Sequence, residues 1–217
     1  MYDKFRNYIT DERLKLYLEY SKNDSEKAVK LYELNIDISS AFNYPLEIFE
    51  VILRNSVNVL LMKYYGQKWY DGDFLLEKHK QLICEVKNTL QQDKKEINLN
   101  NIVSNVSFGF WVDFFHSKYT NILSDKLRQI FNKSKYNPNI LYRKISKVKN
   151  NLRNRIAHRE NIIKYDIMNG YGLILELISY IDSNIAKYVD SHCKFKRLYL
   201  KHQKILDEFY KMCILKR

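Results

Sequence analysis

Only 5 glycines and 2 prolines interrupt the 217 residues of this chain. Sandwiches and barrels reverse direction every few residues and need many more positions able to turn. Few breakers, with 46% apolar and 29% charged residues, predict long helices that bury a common core. The expected fold class is all-α. A chain of this length buries about 70% of its unfolded surface and needs no covalent or metal staple. One domain over residues 1–217 is the simplest organisation, because no linker, repeat or low-complexity tract divides the sequence.

The remaining composition narrows the chemistry. Cys84, Cys193 and Cys213 are odd in number and show no C-x-x-C spacing, so a disulfide framework is not expected. A reducing, cytoplasmic setting fits better. The five histidines (His79, His116, His158, His192 and His202) include no H-E-x-x-H or zinc-finger pair, so neither a metal nor another cofactor is expected. No apolar leader opens the sequence and no run of 18 apolar residues occurs, which predicts no membrane segment.

Hydrophobic spacing places the helices. Thr10 is a candidate cap for a first helix through Leu14, Leu16 and Leu18, and a second starts near Asp24 with Ala28, Leu31, Leu34/Asn35 and Ile38 on one face. Pro45 then suits the first position of a long helix ending before Gly66. After the loop YYGQKWYDGDF comes a polar helix over about 77–92, and an Asn-rich connection through Asn101. The segment SFGFWVDFF (107–115) reads as rings wedged between core helices, with a platform for stacking unpaired bases as the alternative. A helix through Ile122, Leu127, Ile130 and Phe131 precedes Asn137-Pro138, a cap that opens a helix running to about His158. Its inward stripe is Leu141, Ile145, Val148, Leu152 and Ile156. Helices over about 173–189 and 195–213 complete the chain.

The charge is +12, from 37 basic and 25 acidic residues. Such an excess favours a polyanionic partner, because neutralised phosphates release their counterions, although Lys-rich helix faces can also simply be solvated. Of the 10 arginines, Arg153, Arg155 and Arg159 crowd into the segment RNRIAHRE, with His158 among them. A histidine titrates near neutrality, and a guanidinium can hold a phosphate through a charge-rich transition state. RNA supplies its own nucleophile, the 2′-OH, so such a pair could cleave it without metal. On an ideal helix Asn154 and His158 share a face, Arg155 lies within about 60° of His158, and Arg153 is about 140° away. A swung side chain, a distorted helix end or convergence of two chains across a two-fold axis would close that gap. The spacing R-x-x-x-x-H alone is weak evidence. About 0.2 matches are expected by chance, and a second one, Arg197–His202, lies in the C-terminal amphipathic helix.

RNRIAHRE resembles the R-[N/D/H]-x-x-x-H signature of the HEPN superfamily of helical ribonucleases. LEIFEVILRN (46–55), YYGQKWYD (64–71) and SFGFWVDFF are similar, in order, to segments of its abortive-infection (Abi-like) branch. The resemblance covers about residues 40–160, with further helices before and after. It implies a HEPN-like helical bundle, and a metal-independent endoribonuclease acting as a homodimer with the two motif helices facing. Arg153 would stabilise the phosphate, Asn154 would orient a neighbour, and His158 would serve as general acid/base. Arg155 and Arg159 would bind RNA or support the site. Glu50, Arg54 and Asn55 match the family's E-x-x-x-R-N segment and would either contact RNA or brace His158; an intrahelical Glu50–Arg54 pair is the structural alternative. The implied biology is a growth-arresting toxin in phage defence, restrained by a noncoding RNA or protein antitoxin. The rival reading is a basic RNA-binding protein that holds a structured or noncoding RNA without cutting it.

Overall fold

The computed structural model describes residues 8–131 and 137–216, with Thr120 described in its backbone only. The fold is all-α, and no strand occurs among the described residues. The helices are α1 (Asp11–Tyr20), α2 (Ser25–Tyr65), α3 (Glu77–Gln92), α4 (Leu99–Asn105), α5 (Phe108–Asp113) and α6 (Thr120–Leu127), then α7 (Pro138–Val148), α8 (Asn154–Ala157), α9 (Ile167–Ile181), α10 (Ser183–His192) and α11 (Phe195–Leu215). Short 3-10 turns lie at Trp69–Asp71, Ser117–Tyr119 and Arg128–Ile130, and a π-helical turn joins α7 to α8 over Lys149–Arg153. No described helix is long and apolar enough to cross a membrane.

Pro45 does not open a helix. It lies inside the 41-residue α2, which runs through the break expected before it. Proline removes the hydrogen bond to the carbonyl four residues back, a disruption worth about 3 kcal/mol in a helix interior. Here that carbonyl belongs to Ala41, and the Cys193 thiol donates to it at 3.6 Å. The packing around it is apolar, since Phe42, Tyr171 and Phe195 form a buried ring cluster with centroids 4.5–6.3 Å apart.

Two more expectations shift. The Asn-rich connection stops at Asn98, whose side chain accepts from the Asn101 N–H and caps α4. The helix expected over 173–189 is two helices, broken at Asp182, whose carboxylate accepts from the N–H groups of Asn184 and Ile185. Carboxylates compete with the helical backbone in this way, so periodicity alone does not reveal the break. By contrast α3 has the expected limits, and the Asn137 side chain caps α7 through the N–H groups of Asn139 and Ile140.

The chain divides into two compact units. The first draws on Met1–Glu47, Lys147–Leu175 and Lys187–Arg217, and the second on Ile48–Ser146 and Glu176–Ala186. In the first, Tyr17 of α1 packs edge-on to Tyr32 of α2 and against Phe209 of α11. The second is built around aromatic residues. Phe108, Phe110, Trp111, Phe114 and Phe115 are all buried, which favours the core reading of SFGFWVDFF over a stacking platform. Trp69 packs against Phe110, Trp111 and Phe114, and its indole N–H donates to Asn58.

Candidate functional site

The segment Arg153–Glu160 belongs to the first unit and is shaped by two backbone irregularities. The π turn over Lys149–Arg153 comes first. Such turns insert a residue into the helical ladder, rotate the faces downstream and are frequent at functional sites. The apolar stripe registers the change: Leu141, Ile145, Val148 and Leu152 are buried, but Ile156 is only half-buried. α8 follows as a single turn and ends at His158, whose N–H donates to the Asn154 carbonyl at 2.9 Å. Asn154 and His158 therefore sit one above the other, as the spacing predicts.

The helix stops in a Schellman motif. The Glu160 N–H donates to the Arg155 carbonyl at 2.8 Å and the Arg159 N–H to the Ile156 carbonyl at 2.9 Å. The position that closes such a turn is left-handed and usually glycine. Here it is Arg159, at φ 55°. Two elements hold the turn in place. Asn35 of α2, only 4% exposed, accepts from the N–H of Ile162 at 2.8 Å and of Ile163 at 3.4 Å, and donates to the Glu160 carbonyl at 3.3 Å. Arg13 of α1 donates to the Arg159 carbonyl at 3.5 Å. Asn35 was legible only as a polar residue on an apolar face, and its role depends on a loop 125 residues away.

The motif side chains have different surroundings. His158 is exposed at the helix end, and among the described residues its imidazole makes no hydrogen bond or ion pair. Arg153 and Asn154 are half-buried. Arg155 is engaged: its guanidinium pairs with the Glu160 carboxylate and lies 4.8 Å from the centre of the Tyr165 ring. Its Nε is buried without a hydrogen-bond partner. Arg159 is exposed, and among the described residues its guanidinium has no acidic partner. Neither Glu160 nor Tyr165 was a candidate from sequence, although Glu160 belongs to the same short segment.

Glu50, Arg54 and Asn55 belong to the second unit, on α2. Glu50 and Arg54 are half-buried and Asn55 is exposed. The Arg54 Nε donates to the Asn55 side-chain oxygen at 3.2 Å. Asn55 also lines a shallow depression with Val59, Lys63 and Gln129.

A second histidine has a network that the sequence did not suggest. His79 is fully buried in the second unit, stacked on Tyr119 and packed against Phe110 and Phe114. The Leu76 N–H donates to the Tyr119 oxygen at 2.9 Å, and that hydroxyl is hydrogen-bonded to His79 Nδ1 at 2.5 Å. The other ring nitrogen, Nε2, faces an Asp113 carboxylate oxygen at 3.5 Å. Burial pushes the Tyr119 phenol up to about 12. Among the described residues, no group of three His, Cys, Asp or Glu side chains is placed to hold a metal ion.

Comparison of the chain with protein-family models, curated proteins and solved structures gave no match.

Proposed function

We propose that this chain is a metal-independent endoribonuclease of the HEPN type, an Abi-like toxin that arrests growth during phage infection. The observation that carries the reading is the exposed His158, without a side-chain partner among the described residues, at the end of a single helical turn with Arg153 and Asn154 at its start and Arg159 beside it. In this mechanism His158 exchanges a proton with the 2′-OH or the leaving 5′-oxygen. Arg153 neutralises the scissile phosphate, and Asn154 holds the His158 backbone through its carbonyl. Arg159 adds a cation one residue further on. Arg155, already paired with Glu160, braces the turn. In-line cleavage wants both a base and an acid. A homodimer in which two such helix ends face each other would provide the second histidine. Unrestrained cleavage would harm the host, so a noncoding RNA or protein antitoxin is part of the proposal.

One observation favours a second reading, a basic RNA binder without chemistry: no carboxylate among the described residues orients the His158 imidazole. The test is to incubate purified wild type, His158→Ala, Arg153→Ala and Arg155→Ala with total RNA in EDTA. The expected result is new fragments with 2′,3′-cyclic phosphate or 3′-phosphate and 5′-hydroxyl ends for wild type. Arg155→Ala should keep most of that activity, and the other two variants should show none. RNA bound but intact in every sample would favour the binder. Full activity in Arg153→Ala with none in Arg155→Ala would reverse the roles of the two arginines.

A further inference from the structure

We propose that a cavity beside the arginine cluster is a subsite for one RNA base bearing an exocyclic amino group; the proposal rests on the reading of this chain as an RNA-binding protein. The cavity measures about 170 Å³ and lies wholly within the first unit. It is smaller than the roughly 300–1,000 Å³ of pockets for drug-sized ligands, a size suited to a single flat ring system. The π turn supplies one wall through Asn151 and Leu152, immediately before Arg153. Tyr165 supplies another, and the same ring carries the Arg155 guanidinium on it, so cavity and motif share a side chain.

The lining mixes polar side chains, Lys147 among them, with apolar and aromatic ones. Asn151, Asn169 and the Tyr210 hydroxyl all line it, and among the described residues none of these three side chains makes a hydrogen bond. Asp166 uses one carboxylate oxygen to cap α9, accepting from the Asn169 N–H at 2.9 Å. Its other oxygen makes no hydrogen bond among the described residues and can accept from a ligand. A carboxylate in the lining accepts from an amino group, and side-chain amides offer a donor and an acceptor to the edge of a base. Leu152 enters the cavity because Gly170 lets it approach: a Cβ there would lie 2.9 Å from Leu152 Cδ1. A base seated between Leu152 and the tyrosine rings would place its phosphates outside the cavity, toward the basic motif.

The test measures binding of short A, C and U homopolymers in EDTA by fluorescence anisotropy. It uses the full chain as His158→Ala, with and without Asp166→Asn and Asn151→Ala. Asp166→Asn keeps an oxygen for the α9 cap, and an unchanged melting temperature checks that it folds. The expected result is binding of A or C polymers about tenfold tighter than U. Asp166→Asn should bring that ratio close to one while U affinity stays the same, and Asn151→Ala should reduce it. Equal affinity for all three polymers, or a preference that survives Asp166→Asn, would overturn the subsite and leave RNA binding standing. No binding to any polymer would overturn both the subsite and the reading beneath it.

Discussion

His158 and His79 mark two regions that treat the same side chain in opposite ways. In the second unit His79 is fully buried, stacked on Tyr119, with one ring nitrogen hydrogen-bonded to the phenol and the other facing Asp113. In the first, His158 caps a one-turn helix in solvent, among arginines and without a side-chain partner among the described residues. A buried ring stacked among aromatics and hydrogen-bonded through Nδ1 is a stability device, and its loss would strand the phenol it leaves behind. An exposed histidine returns almost nothing to stability. Its place behind Arg-Asn, at the end of a turn that Asn35 and Arg13 hold fixed, is what requires a functional account.

The sharpest way to break the comparison is to exchange the consequences. His158→Ala should lower RNA cleavage by about 10²–10⁴-fold, the usual worth of a general acid/base, with a melting temperature close to wild type. Cleavage that survives this change would remove His158 from the mechanism. His79→Ala should do the reverse. Losing the buried ring and orphaning the Tyr119 hydroxyl should cost about 3 kcal/mol of stability, read from urea unfolding, and leave cleavage intact below the transition.

A subtler change connects the core of the first unit to its site. Asn35→Ala strands the N–H of Ile162 and the carbonyl of Glu160, at a cost of about 2 kcal/mol. The loosened turn should exchange the amide protons of residues 160–163 faster than those of α3, and cleavage should fall with them. Unchanged exchange there would mean that the turn holds itself.

The last effect is a pH dependence. Burial pushes the phenols of Tyr20, Tyr119 and Tyr199 up to about 12, and holds those of Tyr17 and Tyr171 above the usual range as well. A group whose folded pKa is raised contributes stability that is complete below its unfolded value, near 10 for tyrosine. That contribution is lost as pH rises toward 12. Unfolding followed across this window should show stability declining from about pH 10 upward, while a flat profile would contradict the burial of these rings.

Much of the helical plan was legible because it depends on local chemistry. The limits of α3 and the Asn137 cap follow from apolar spacing and from a side chain that bonds the next free N–H groups. The errors have longer-range causes. Pro45 reads as a helix start by any local rule, yet it sits within α2, where a thiol 152 residues away meets the carbonyl its ring leaves unbonded. Asp182 divides a periodic stretch, since capping outweighs periodicity at that point.

The candidate site divides in the same way. Sequence alone determined that the chain is helical, that it is strongly basic, and that Arg153, Asn154, Arg155, His158 and Arg159 share one short segment. These depend on residue order and on forces acting within a few turns. Tertiary structure alone decided that Arg155 is held by Glu160 and Tyr165 while His158 is left open. It also placed Asn35 against the turn and put a cavity behind the π segment. Those outcomes depend on which surfaces are packed together and which polar groups find partners across the fold, and residue spacing carries no record of either.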